Sequence, residues 1–99
     1  MLSELTLPED LKRDISAAAE ILMQDGCREV YVFGSVAEGT FSDASDIDLA
    51  IVGLPKERFF SAYGRILLKV RRRIDLVALD YDSEFGNQLK SSGTLSRVA

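Results

Sequence analysis

Apolar positions recur along this chain with two periods, one helical and one extended, and their succession predicts the order of elements. Leu11, Ile15, Ala18 and Leu22 fall on one helical face, with Ala19 and Met23 beside them. Pro8, Glu9 and Asp10 suit a first helical turn and Gly26 a stop, so the spacing predicts a helix over residues 8–25. Val30-Tyr31-Val32-Phe33 is a short run of strand formers that reads as a buried strand, ended by Gly34. Residues 35–45 predict a loop, with room for one helical turn after Ser35. Asp46 to Val52 predicts a second strand whose buried part is Leu49-Ala50-Ile51-Val52, closed by Gly53 and Pro55.

Pro55 opens a second long helix. Phe59, Tyr63, Ile66, Leu67 and Val70 form its apolar stripe, and its predicted end runs through Lys69-Val70-Arg71-Arg72-Arg73, where cations suit the helix C-terminus. Ile74 to Leu79 predicts a third strand, residues 83–90 a short helix, and Ser91-Ser92-Gly93 a turn. The last six residues fit neither period. The order α-β-β-α-β-α belongs to the α/β (α+β) class: a small mixed β-sheet packed by helices.

Composition narrows the function. A length of 99 residues suits one domain over residues 1–99, with little chain left for a separate substrate domain. A formal net charge of −4 disfavours direct nucleic-acid binding. The single cysteine, Cys27, excludes an internal disulfide, and the absence of histidine removes His-based triads and metal sites. Met1-Leu2-Ser3-Glu4 lacks the basic start of a secretory signal, and no run approaches a membrane span, so the expectation is a cytoplasmic protein without a membrane partner.

Within that frame the chemistry concentrates in two short motifs. In Ser45-Asp46-Ile47-Asp48-Leu49, alternation along a strand turns Asp46 and Asp48 to one face and Ile47 to the other. Two adjacent carboxylates repel unless a cation lies between them, and hard cations such as Mg²⁺ take carboxylate, phosphate and water oxygens. Asp75, flanked by Ile74 and Leu76, is the third candidate; if its strand neighbours that of Asp48, the carboxylates converge. Upstream, Gly34-Ser35-Val36-Ala37-Glu38-Gly39 leaves an apolar strand in a tight turn. Gly34 permits close backbone approach and Gly39 a sharp return, so N–H groups and the Ser35 hydroxyl can meet phosphate oxygens. Together these motifs point to metal-assisted transfer of a nucleotide from a triphosphate, with one or two metal ions.

The combination Gly34-Ser35, Gly39, Ser45-Asp46-Ile47-Asp48 and a later Asp75 resembles the minimal nucleotidyltransferase (MNT) group of the polymerase-beta-like superfamily. The resemblance implies the polymerase-beta-like nucleotidyltransferase fold and two Mg²⁺ ions held by Asp46, Asp48 and Asp75. It implies that Asp75 also assists the attacking hydroxyl, and that Gly34, Ser35, Gly39 and Ser45 serve the nucleotide. Small MNT proteins are similar to the antitoxin half of HEPN–MNT toxin–antitoxin pairs. That likeness implies AMP transfer from ATP to a tyrosine of a HEPN ribonuclease toxin, within a hetero-oligomer. Aminoglycoside-type relatives carry an added helical domain for which this chain has no length.

Plainer roles compete at several positions. Asp-x-Asp alone is more often structural than catalytic, Ser45 suits a turn, and Ser35 can cap a helix. Lys69 and Arg71 to Arg73 read first as a solvated helix end, and Cys27 as a packing residue without chemistry. Tyr31, Phe33, Phe59 and Tyr63 read as core before base-stacking residues, and Phe60 reads either as core or as an outward residue marking a partner surface. Many relatives carry arginine at the position of Glu38, so an acid there favours a second reading: a nucleotide-binding module that masks a partner's site without turnover.

Overall fold

The computed structural model describes residues 7–40, 46–92 and 95–99. Its elements are α1 (Glu9–Gln24), β1 (Glu29–Phe33), α2 (Gly34–Glu38), β2 (Ile47–Val52), α3 (Lys56–Lys69), β3 (Ile74–Ala78), α4 (Glu84–Ser92) and β4 (Ser96–Arg97). The four strands form one mixed sheet in the order β3-β2-β1-β4. β1 lies antiparallel to β2 and β4, whereas β2 and β3 are parallel neighbours joined through α3.

Alternation along the strands divides the sheet into two unlike faces. Val30 and Val32, then Ile47, Leu49 and Ile51, then Ile74, Leu76 and Ala78 all point into one cluster with Leu11, Ile15 and Leu22 of α1 and Ile66 of α3. Each large side chain so buried contributes about 1.5–3 kcal/mol. Among the described residues, the opposite face holds a small buried cluster of Phe33, Ala50 and Leu79, with Leu89 of α4 packed against it. That thinly covered face is also the one to which alternation turns Asp48 and Asp75.

Several expectations are adjusted. In α1, Ala19 is buried beside the stripe as expected and Ile21 joins it, while Met23 is 43% exposed. In α3, Leu67 is likewise exposed, and Ala62 takes the core position. α3 stops at Lys69 because Val70 turns extended to stay in the core, which leaves Arg71 to Arg73 in the link to β3. α4 runs on through Ser91 and Ser92, where the sequence predicts a turn; the Ser91 hydroxyl donates to the carbonyls of Asn87 and Gln88. The final residues supply β4, whose partner is β1, so its signal is tertiary pairing rather than local period.

Candidate active site

β1 ends at Phe33, whose register partner on β2 is Asp48. The chain then turns directly into α2 at Gly34, with φ +67°. A Cβ at that position would collide with the Asp48 carboxylate, with the carboxyl carbon only 3.3 Å away. The glycine therefore serves twice: it adopts a left-handed backbone, and its bare Cα leaves space for Asp48. α2 closes at Gly39, with φ +78° and its N–H directed back to the Ser35 carbonyl. Ser35 is half-buried beside Gly34, while Glu38 is exposed at the other end of the turn.

Asp75 is the register partner of Asp48 on β3. The two side chains therefore lie on the same face of adjacent strands, where Asp75 acts on Asp48. Burial, followed by the Asp75 charge and hydrogen bond and then the Asp46 charge, pushes Asp48 up to about 6. Asp46 precedes the first residue of β2 and reaches the pair through its charge. Among the described residues, no group of three or more acidic or cysteine side chains is placed to hold a metal ion together. The fold thus brings Gly34, Ser35, Asp48 and Asp75 together and sets Asp46 at the entry. Gly39 closes the turn, and Ser45 lies outside the described residues.

This donor set fits a hard cation. It consists of acceptor oxygens whose mutual repulsion is relieved by a proton at low pH and would be relieved by a divalent ion at neutral pH. The proton has a measurable consequence. A carboxyl raised in the fold, from 3.8 to about 6, favours the folded state at low pH, and the benefit disappears as pH rises through that window. In chelator, the contribution of Asp48 to the melting temperature should therefore decline between about pH 4 and pH 6–7. A pH series comparing wild type with Asp48→Asn isolates that contribution; parallel curves would refute it.

Tyr63 is a neighbour of the site that sequence reasoning misses. Its hydroxyl donates to the Ile74 carbonyl, next to Asp75, and the Asp75 charge adds to burial in raising the Tyr63 pKa. Its place in the apolar stripe conceals this polar role. Cys27, by contrast, is a buried packing residue whose thiol donates to the Glu29 and Val52 carbonyls at 3.2 and 3.3 Å. Asp80 and Asp82 hold loops: Asp80 accepts from the Gly53 N–H at 3.0 Å, and Asp82 from Asn87 at 3.3 Å. Among the described residues no helix is long and apolar enough to cross a membrane.

The model of the family described as polymerase beta, nucleotidyltransferase, matches residues 16–95. Three solved structures share the fold. One is a toxin–antitoxin with AMP-PNP, with TM-score 0.63 and 22% identity over 89% of this chain and 72% of that one. Another is the toxin–antitoxin MntA–HpeT carrying two aspartate-to-glutamate exchanges, with TM-score 0.60 and 19% identity over 81% and 69%. The third is a putative nucleotidyltransferase from Sulfolobus solfataricus, with TM-score 0.50 and 22% identity over 93% and 87%. No curated protein matches the chain closely.

Proposed function

This chain belongs to the polymerase beta nucleotidyltransferase family, and from that premise we propose that it is an antitoxin that transfers AMP from ATP to a tyrosine hydroxyl of a HEPN-type ribonuclease toxin. The observation that carries the reading is the register of Asp48 on Asp75, with the Gly34 turn pressed against the same carboxylate. One small surface then offers a phosphate-binding turn and a cluster of acids. The resemblance to toxin–antitoxin complexes, one of them with AMP-PNP, supports the choice of nucleotide and partner. In MntA–HpeT the two exchanged aspartates are separated by one residue, which is the spacing of Asp46 and Asp48. A chain that draws on ATP and a ribonuclease toxin suits the cytoplasm.

In this mechanism the N–H groups at Gly34 and Ser35, with the Ser35 hydroxyl, hold phosphate oxygens. Gly39 returns the turn. Asp46, Asp48 and Asp75 would hold Mg²⁺, which when bound neutralises the triphosphate and favours departure of pyrophosphate. Asp75 orients the attacking hydroxyl and accepts its proton. The tyrosine oxygen forms a bond to the α-phosphorus as the bond to pyrophosphate breaks, leaving AMP on the toxin.

The test is incubation with Mg²⁺ and α-labelled ATP, with and without the toxin, followed by intact mass. A gain of one or more AMP units on the toxin, lost with Asp46→Asn, is the expected result. A tight complex without transfer would instead support the second reading, a nucleotide-binding module that masks the toxin's site. The exposed Glu38 is the observation in favour of that reading, because an acid beside the turn repels triphosphate.

A further inference from the structure

Two sets of residues on α3 serve neither the core nor the candidate site. Phe60, Leu67 and Leu68 are 81%, 50% and 90% exposed. Their i, i+7, i+8 spacing gathers them on one side of the helix, away from the buried Ala62 and Ile66. The other exposed large apolar residues described, Met23 and Phe85, lie on α1 and α4, so among the described residues this is the one helix that carries several. At its N-terminal end the strip leads into an apolar cavity of about 440 Å³, where Phe60 meets Phe59, Leu76, Val77 and Tyr81. A cavity of this kind can accept a large apolar side chain.

The charge around the strip identifies its occupant. Seven of the 12 Lys and Arg residues lie between residues 56 and 73, against one acid, Glu57, in a chain of net charge −4. Arg58 and Arg65 are engaged by Asp25 on the α1 side. Lys56, one turn before Phe60, is exposed, as are Arg71 and Arg73 just past the end of α3. A second copy of this chain would set these cations against their own kind, which disfavours a homodimer on this face. We propose that the outer face of α3 is the docking surface for an acidic amphipathic helix of the partner protein, with an apolar anchor in the Phe60 cavity. Such a helix would lay its apolar residues on Phe60, Leu67 and Leu68 and its carboxylates among the flanking cations. The inference rests on the toxin–antitoxin reading above and adds where the toxin is held. The cavity that would take the anchor is lined in part by Leu76 and Val77 of β3, the strand that carries Asp75.

The experiment uses a purified HEPN-type toxin as probe. It is titrated by calorimetry into wild type, into Phe60→Ser/Leu68→Ser and into Asp48→Asn, and transfer is assayed in parallel. The double variant should fold normally by circular dichroism, bind the toxin at least tenfold more weakly and show a raised KM for toxin. Its ATP affinity and its kcat at saturating toxin should be unchanged. Asp48→Asn should bind normally and transfer nothing. Lys56→Glu should weaken binding and flatten its salt dependence. If the double variant binds as wild type does, the surface is wrong and the transferase reading stands. If wild type neither binds nor labels the toxin, that reading falls and the surface with it. If wild type alone sediments as a dimer that the double variant dissolves, the occupant is a second copy and the proposal is overturned.

Discussion

Replacing Asp48 by Asn is expected to abolish nucleotide transfer while raising the melting temperature of the metal-free protein at neutral pH. The two effects have one origin. Asp48 is partly buried, beside Asp75 and within the field of Asp46, so its ionised form is disfavoured in the fold, and its pKa rises to about 6. At pH 7 the native protein must therefore hold a charge that the unfolded chain holds at less cost. Asparagine removes that charge, and its amide can donate to Asp75. Stability should be higher than wild type above about pH 6 and should converge with it toward pH 4. Transfer moves the other way. Charge stabilisation by a bound metal is worth several kcal/mol, and each 1.4 kcal/mol is about tenfold, so loss of a ligand should cost roughly a thousandfold or more. Denaturation in chelator at pH 5 and pH 7.5, beside a labelled-nucleotide assay, measures both. A variant that is less stable at pH 7.5, or still active, would remove Asp48 from this role.

Part of this site is legible in the amino-acid sequence alone, because period-2 alternation is local. Ile74, Leu76 and Ala78 go to the core, so Asp75 must take the other face; Ile47, Leu49 and Ile51 do the same for Asp48. That the two acids meet depends on β2 and β3 being parallel neighbours in one particular register, which no local pattern encodes. β4 is hidden for the same reason: two residues, Ser96 and Arg97, become a strand only because β1 offers its edge. The helices depart from their patterns in an informative direction. Leu67, a member of its apolar stripe, and Met23, beside its own, are nevertheless exposed, since periodicity assigns a face without saying whether anything covers it. On α3 that departure coincides with the surface proposed to meet a partner. The charge of Arg71 to Arg73 suits a helix end, but burial of Val70 fixes the end of α3 before them.

Substituting Gly34 should be the second severe lesion, and alanine already suffices to cause it. At φ +67° any L side chain is strained, by roughly 1–2 kcal/mol. The strain is the smaller part. The new Cβ would occupy the place of the Asp48 carboxylate, whose carbon lies 3.3 Å from that point, and Asp48 is confined by Asp75 on the neighbouring strand. Either the carboxylate swings out of the acid cluster or the turn into α2 opens. The first outcome removes a metal ligand; the second removes the N–H groups proposed to hold phosphate. Gly34→Ala should therefore lose both nucleotide affinity and transfer, and Gly34→Val should lose stability as well. Gly39→Ala is the informative control: its φ is +78°, but a Cβ there meets nothing within 4 Å. It should show the backbone strain, a modest drop in melting temperature, without the loss of nucleotide binding. Calorimetric titration with a non-hydrolysable ATP analogue distinguishes the two. Equal affinities for Gly34→Ala and Gly39→Ala would mean that Gly34 serves only the turn, and that its contact with Asp48 has no part in binding.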